Sequence, residues 1–144
     1  MGQKTAALTL SIAWGAFAAA LRDAIARGRL RGVVDPGMGP ILFALEESGV
    51  CTMSELATAA RVPRTTMTGI AARMKQRGLV RLAPNPMDGR GIVVALTPKG
   101  RSTLPKMRRI EQELDSTIRK ALTSVEVAAL SKYLEHIASA FSSS

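Results

Sequence analysis

The run Arg61-Val62-Pro63-Arg64-Thr65-Thr66-Met67-Thr68-Gly69-Ile70-Ala71-Ala72-Arg73-Met74-Lys75-Gln76-Arg77-Gly78 decides how the rest of the chain is read. Pro63 suits the first turn of a helix and Gly78 ends it. Between them Met67, Ile70, Ala71 and Met74 recur at helical spacing, while Arg64, Thr65, Thr68, Arg73 and Gln76 take the other face. Upstream, Thr52 and Glu55 form a capping box, which predicts a short helix over 54–60 with Leu56 and Ala57 inward. The two segments make a helix–turn–helix. Downstream, 79–83 and 92–96 are apolar and rich in β-branched residues, and the Pro-, Asn- and Gly-rich stretch 84–91 joins them as a hairpin with a long tip.

Outward from this centre the chain is helical. The turn 35–40 launches a helix carrying Ile41, Leu42, Ala44 and Leu45, which Gly49 ends; Val50-Cys51 is at most a strand fragment. Thr97-Pro98 and the capping box Thr123/Glu126 start two final helices. Their seams are Met107, Ile110, Leu114, Ile118, Ala121 and Val127, Leu130, Leu134, Ile137, Phe141, regular enough to pack on other helices. Pro105 is expected to bend or break the first of them, and the tail 142–144 to fray. Near the N-terminus, the almost uncharged stretch 6–21 resembles a secretory signal. Leu10, Trp14, Phe17, Leu21 and Ile25, however, run at spacings of 4, 3, 4 and 4 past the cleavage-like site, as in an amphipathic helix ending near 27–32.

The 144 residues fit one domain, and 47% apolar content excludes a disordered chain. One cysteine, Cys51, and one histidine, His136, exclude a disulfide framework and a Cys/His metal cluster, so no metal and no cofactor is expected. Cys51 reads as a small buried residue and His136 as surface or dimer edge. No phosphate loop, paired carboxylates or nucleophile constellation stands out, so an enzyme is not expected. The net charge is +9, and +6 of it lies within 61–90, where Arg61, Arg64, Arg73, Lys75, Arg77, Arg81 and Arg90 face only Asp88. Such a cluster implies a polyanion. The cations are not set opposite the apolar face of one exposed helix, which argues against a membrane surface. The stretch holds no aromatic residue, which argues against a single-strand stacking platform. A helix fits the major groove of duplex DNA, where Arg64, Thr65, Thr66 and Thr68 are of the right type and position to read base edges.

The segment from Thr52 to Gly100 resembles the winged helix–turn–helix of MarR-type transcription regulators. Asp88-Gly89-Arg90 followed, after five residues, by Leu96-Thr97-Pro98-Lys99-Gly100 matches the family's wing pattern; Asn85-Pro86 and Arg77-Gly78-Leu79-Val80 match as well. The resemblance implies a mainly α fold with a small β-wing. A DNA-binding lobe would span 35–97, with dimerisation helices over 1–34 and 98–144. It further implies a cytoplasmic homodimeric regulator, a repressor by default, on a near-palindromic operator of double-stranded DNA. Arg90 would enter the minor groove, Asp88 would help hold the wing tip, Arg81 and Lys99 would meet phosphates, and Arg73 would join the interface. A lipophilic or phenolic effector would lower DNA affinity from a crevice for which Trp14, Phe17, Met38 and Phe43 are candidates, although plain core packing accounts for apolar residues at such spacing. Two positions depart from the family: Ala72 stands where many relatives have an acid able to pair with the wing arginine, and Gly69 costs ~1 kcal/mol of helix propensity and offers no base contact. The alternative is an architectural or non-specific DNA-binding protein using the same surface.

Overall fold

The computed structural model describes residues 2–142, apart from the side chain of Asp88; Met1, Ser143 and Ser144 lie outside it. In chain order the elements are α1 (Ala6–Arg27), a 3-10 turn (Pro36–Met38), α2 (Gly39–Ser48), β1 (Val50–Thr52), α3 (Met53–Ala60), α4 (Arg64–Gln76), β2 (Val80–Asn85), β3 (Asp88–Leu96), α5 (Pro98–Ala121) and α6 (Ser124–Ser142). The expected winged helix–turn–helix with flanking helices is the observed architecture.

Helix starts follow the capping chemistry. The Thr52 hydroxyl accepts from the Glu55 amide at 3.1 Å, and the Glu55 carboxylate accepts from the Thr52 amide at 3.4 Å. Thr123 and Glu126 repeat this at α6, and the amide of Thr123 holds the Glu126 carboxyl below the usual carboxylate range. The α3–α4 turn is made by Arg61 in the left-handed region (φ 56°), a conformation that usually takes glycine.

The sheet is antiparallel in the order β1-β3-β2, so the fragment at 50–52 is a true third strand. Val80 pairs with Leu96 and Leu82 with Val94, all facing the core, while Arg81 and Ala83 face out. The wing is longer than the sequence suggests: both strands extend into 84–91, leaving only Pro86 and Met87 as the tip. Pro84 is tolerated because β2 is an edge strand, and the register shifts directly after it. Pro105 likewise does not break α5, which is continuous. It lies on the exposed side, where the carbonyl left without its amide can meet water, while Leu104 and Met107 are buried and hold the helix down.

One continuous core joins the lobe to its neighbours. Met38, Ile41, Leu42, Leu45, Leu56, Met67, Met74 and Leu79 are sealed in it, together with Leu21 and Ile25 of α1 and Leu104, Met107 and Ile110 of α5. Each large side chain fully buried this way stabilises the fold by ~1.5–3 kcal/mol. Cys51 is buried and His136 exposed, as expected. The far ends of α1 and α6 are different. Leu8, Ile12, Trp14 and Phe17, and Tyr133, Leu134, Ile137 and Phe141, leave large apolar surfaces open. Among the described residues α1 is also the one helix long and apolar enough to cross a membrane.

The start of α5 is fitted to the end of α4. Gly78 (φ +77°) lets its own amide reach the Lys75 carbonyl and that of Leu79 reach the Met74 carbonyl, a Schellman end. Leu79 O then accepts from the Thr97 amide at 3.0 Å, the Thr97 hydroxyl donates to Gly78 O, and the Gly100 amide donates to that hydroxyl at 3.0 Å. A Cβ on Gly100 would stand 2.1 Å from Leu79 O. Gly100→Ala is therefore expected to cost at least ~2 kcal/mol, the upper range of overpacking effects, read as a lower denaturant midpoint at unchanged slope. A midpoint equal to that of the parent would disprove the close approach.

Candidate nucleic-acid interface

Helix α4 has a clean division of faces. Met67, Ile70, Ala71 and Met74 are buried, whereas Arg64, Thr65, Thr66, Thr68, Gly69, Ala72, Arg73, Lys75 and Gln76 are exposed. Pro63 precedes the helix without a side-chain cap, so the first-turn amides are open to an anion. Thr65 and Thr66 are exposed at that end; Thr68, also exposed, donates its hydroxyl to the Arg64 carbonyl at 3.0 Å. Arg64 and Lys75 are exposed cations of this surface.

The other predicted cations divide into two kinds. Arg81 is exposed on the outer face of β2, and Arg90 is exposed on β3 close to the wing tip. Arg73 and Lys99 are engaged within the chain. Asp35, in the linker after α1, lies 2.8 Å from Arg77 and 3.7 Å from Arg73, a carboxylate set against the second half of α4. The Lys99 ammonium donates to the Arg77 carbonyl at 2.7 Å, closing the C-terminal end of α4, where a cation also suits the helix dipole. The tip of the wing is held by Asn85, whose side-chain oxygen accepts from the Met87 amide at 3.0 Å; the Asp88 side chain lies outside the described residues. Asp35 was hidden from sequence reading because Asp-Pro there signals only a turn; its partners lie 38 and 42 residues away.

The four residues suggested for an effector crevice do not converge. Trp14 and Phe17 pair, with ring centroids 6.2 Å apart, and both are exposed. Phe43 is half-buried against the core, and Met38 is sealed at 0% exposure, so it offers no surface to a ligand. Its flexible thioether fills the core beside the 3-10 turn, with its sulfur 3.4 Å from the Asp35 amide. The structure shows a different concavity of about 360 Å³ at the foot of α1, lined by Arg22, Asp23, Ile25, Arg31, Val34 and Asp35 among others.

The sequence model of the MarR family matches residues 39–91, from α2 to the wing. The multiple antibiotic resistance protein MarR of Salmonella typhimurium is 33% identical over 98 residues, 67% of this chain and 68% of that protein. The chain belongs to the MarR family. The HTH-type transcriptional repressor IacR of Pseudomonas putida is 38% identical over 95 residues, which is 66% of this chain but only 57% of that repressor's length. Among solved MarR-type folds, BpsR of Bordetella bronchiseptica, whose DNA binding is regulated by 6-hydroxynicotinic acid, superposes with a TM-score of 0.80. That likeness covers 93% of both chains at 22% identity, and it extends the fold to the flanking helices that lie outside the family model's 39–91.

The two kinds of cation are separable by stability alone. Lys99→Ala should lower unfolding free energy by ~1 kcal/mol through loss of the closing bond on α4. Arg64→Ala, an exposed side chain away from such features, should change it by less than ~0.5 kcal/mol. Equal effects in chemical denaturation would contradict the division.

Proposed function

We propose that this MarR-family chain is a sequence-specific duplex-DNA-binding repressor rather than an enzyme. It acts in the cytoplasm as a homodimer on a near-palindromic operator and is released by a small aromatic ligand of the phenolic or hydroxy-acid kind. The observation that carries the reading is the cationic outer face of α4, with Arg64, Lys75 and an uncapped N-terminus, in the same lobe as a wing bearing Arg81 and Arg90. In this reading α4 enters the major groove, Arg64, Thr65, Thr66 and Thr68 meet base edges, and Arg90 reaches the minor groove. Asp88 helps shape the wing tip. Arg73 and Lys99 hold α4 in place and add positive potential near the phosphates.

The second copy is supported by the apolar residues left open on α1 and α6, a surface that a twofold partner would cover. The lobe (35–97) and the dimerisation helices (1–34 and 98–144) are then functional units built around one core. Two recognition helices related by a twofold axis fit half-sites ~10 bp apart. Repression follows from occlusion by a small dimer, in keeping with the names of its relatives. The effector is supported by the likeness to BpsR and by the concavity at the foot of α1, whose lining combines Arg22 and Arg31 with the apolar Ile25 and Val34. Trp14, Phe17 and Phe43 would border it only after assembly with a second copy.

Selection of bound duplexes from a random library tests the reading. The expected product is a palindrome with half-sites ~10 bp apart, protected in footprinting; uniform coverage of any duplex would instead mean an architectural protein. On the selected duplex, Arg90→Ala should weaken binding by ~1–3 kcal/mol, and Arg64→Ala should weaken specific binding more than non-specific. Binding should fall with salt at a slope near −0.9 per neutralised phosphate. An unchanged Arg90→Ala titration removes the wing from the mechanism, and a flat salt response removes the charge argument.

A further inference from the structure

Gly69 sits in the middle of α4 on its exposed side, and a Cβ built there meets no atom within 4 Å. Nothing in the packing of the chain calls for a glycine, and glycine is the poorest helix former after proline. Its neighbours on the helix surface point to an external reason. At 3.6 residues per turn the buried Met67, Ile70, Ala71 and Met74 define one side of α4, and the line opposite them runs through Thr65, Gly69, Ala72 and Gln76. The cations flank this line, with Arg64 and Lys75 to one side and Arg73 to the other. A helix lying in a major groove sets its outermost line on the groove floor and turns its flanks toward the phosphate walls.

The middle of that line carries no hydrogen-bonding group: Gly69 has no side chain, Ala72 has a methyl, and Thr65 adds a methyl beside its hydroxyl. Readout there by donor and acceptor pairs is not available. An A·T pair offers the thymine C5 methyl to such a surface, and a G·C pair does not. We infer that Gly69 is a specificity-determining position. Its missing side chain lets the α4 backbone settle onto the groove floor, where the Gly69–Ala72 surface packs on thymine methyl groups. Ala72 thereby acts as a methyl reader, and Lys75 and Arg73 on the flanks act on the backbone. The inference rests on the proposal that α4 reads duplex DNA.

The test uses the full-length protein and the duplex it selects. Replacing thymine by deoxyuridine in the half-sites keeps every hydrogen-bonding edge and removes only the methyls. Wild-type affinity should drop about fourfold for each methyl in contact, the worth of one buried carbon. Gly69→Ala should raise the unfolding midpoint, yet bind the selected duplex at least about tenfold more weakly, as overpacking at a close approach predicts. Its affinity for random duplex at low salt should stay within about twofold, because phosphate contacts are retained. A merely structural glycine would not give gain of stability together with loss of specific binding. Equal binding of the deoxyuridine duplex, a selected site without thymine, or full affinity of Gly69→Ala would overturn the inference while leaving the repressor reading intact. A protein that selects no sequence at all would overturn both.

Discussion

The carbonyl of Leu79, lying where a side chain at residue 100 would have to be, fixes the relation between three elements. It accepts from the Thr97 amide at 3.0 Å, so the first residue after β3 is joined to the Gly78-Leu79 end that follows α4. Because Thr97 also caps α5 and bonds Gly78, the direction in which α5 leaves the lobe is set by the end of α4. The wing hangs between these two points: β2 begins at Val80 and β3 ends at Leu96, so both roots of the hairpin are pinned at one junction. The pattern Leu96-Thr97-Pro98-Lys99-Gly100 therefore has a physical content for each member but Pro98's ring, which simply suits a first helical turn. Leu96 enters the core, Thr97 caps, Lys99 closes α4, and Gly100 admits the carbonyl.

The same junction shapes the electrostatics. Counting seven cations over 61–90 treats them as equivalent, but Arg77 and Arg73 face Asp35, and Arg61 lies 3.8 Å from Glu135 of α6. These pairs are largely exposed and contribute little stability each. Their effect is on where charge can go. Asp35 draws guanidinium groups toward the linker, which leaves Arg64, Lys75 and Arg81 as the cations of this stretch that no carboxylate among the described residues is shown to engage. Asp35 also borders the concavity at the foot of α1, so one carboxylate touches both that concavity and α4. Any change in its partners would be felt at α4.

Most of the fold was legible because its signals are local. Capping boxes, the Gly78 stop and the two seams act over three or four residues, and α3, α4 and α6 start within a residue of where Thr52, Pro63 and Thr123 place them. Beyond the third strand at 50–52, the departures involve proline, whose cost depends on surroundings that a sequence does not display. Pro84 stays in a strand because that strand lies at the sheet edge, and Pro105 stays in a helix because it sits on the exposed side while its neighbours are buried. Met38 stood open between crevice and core for a related reason, and it lies in the core. An apolar residue beside a Pro-Gly turn reads equally well as crevice or core, and only packing decides.

At the candidate interface, residue type revealed which side chains could meet a polyanion but not which were already committed. Lys99 and Arg64 are indistinguishable as sequence letters; one donates to a carbonyl on its own chain across 22 residues of separation, and the other lies in the open. Conversely, Gly69 carries no chemistry and draws attention only when the space around it is seen to be empty. A recognition surface is defined as much by where side chains stop as by where they reach. On α4 the short Thr65, Gly69 and Ala72 lie along the outer line ahead of Gln76, and the long cations Arg64, Lys75 and Arg73 flank it, which is the cross-section that the proposed packing on thymine methyl groups uses.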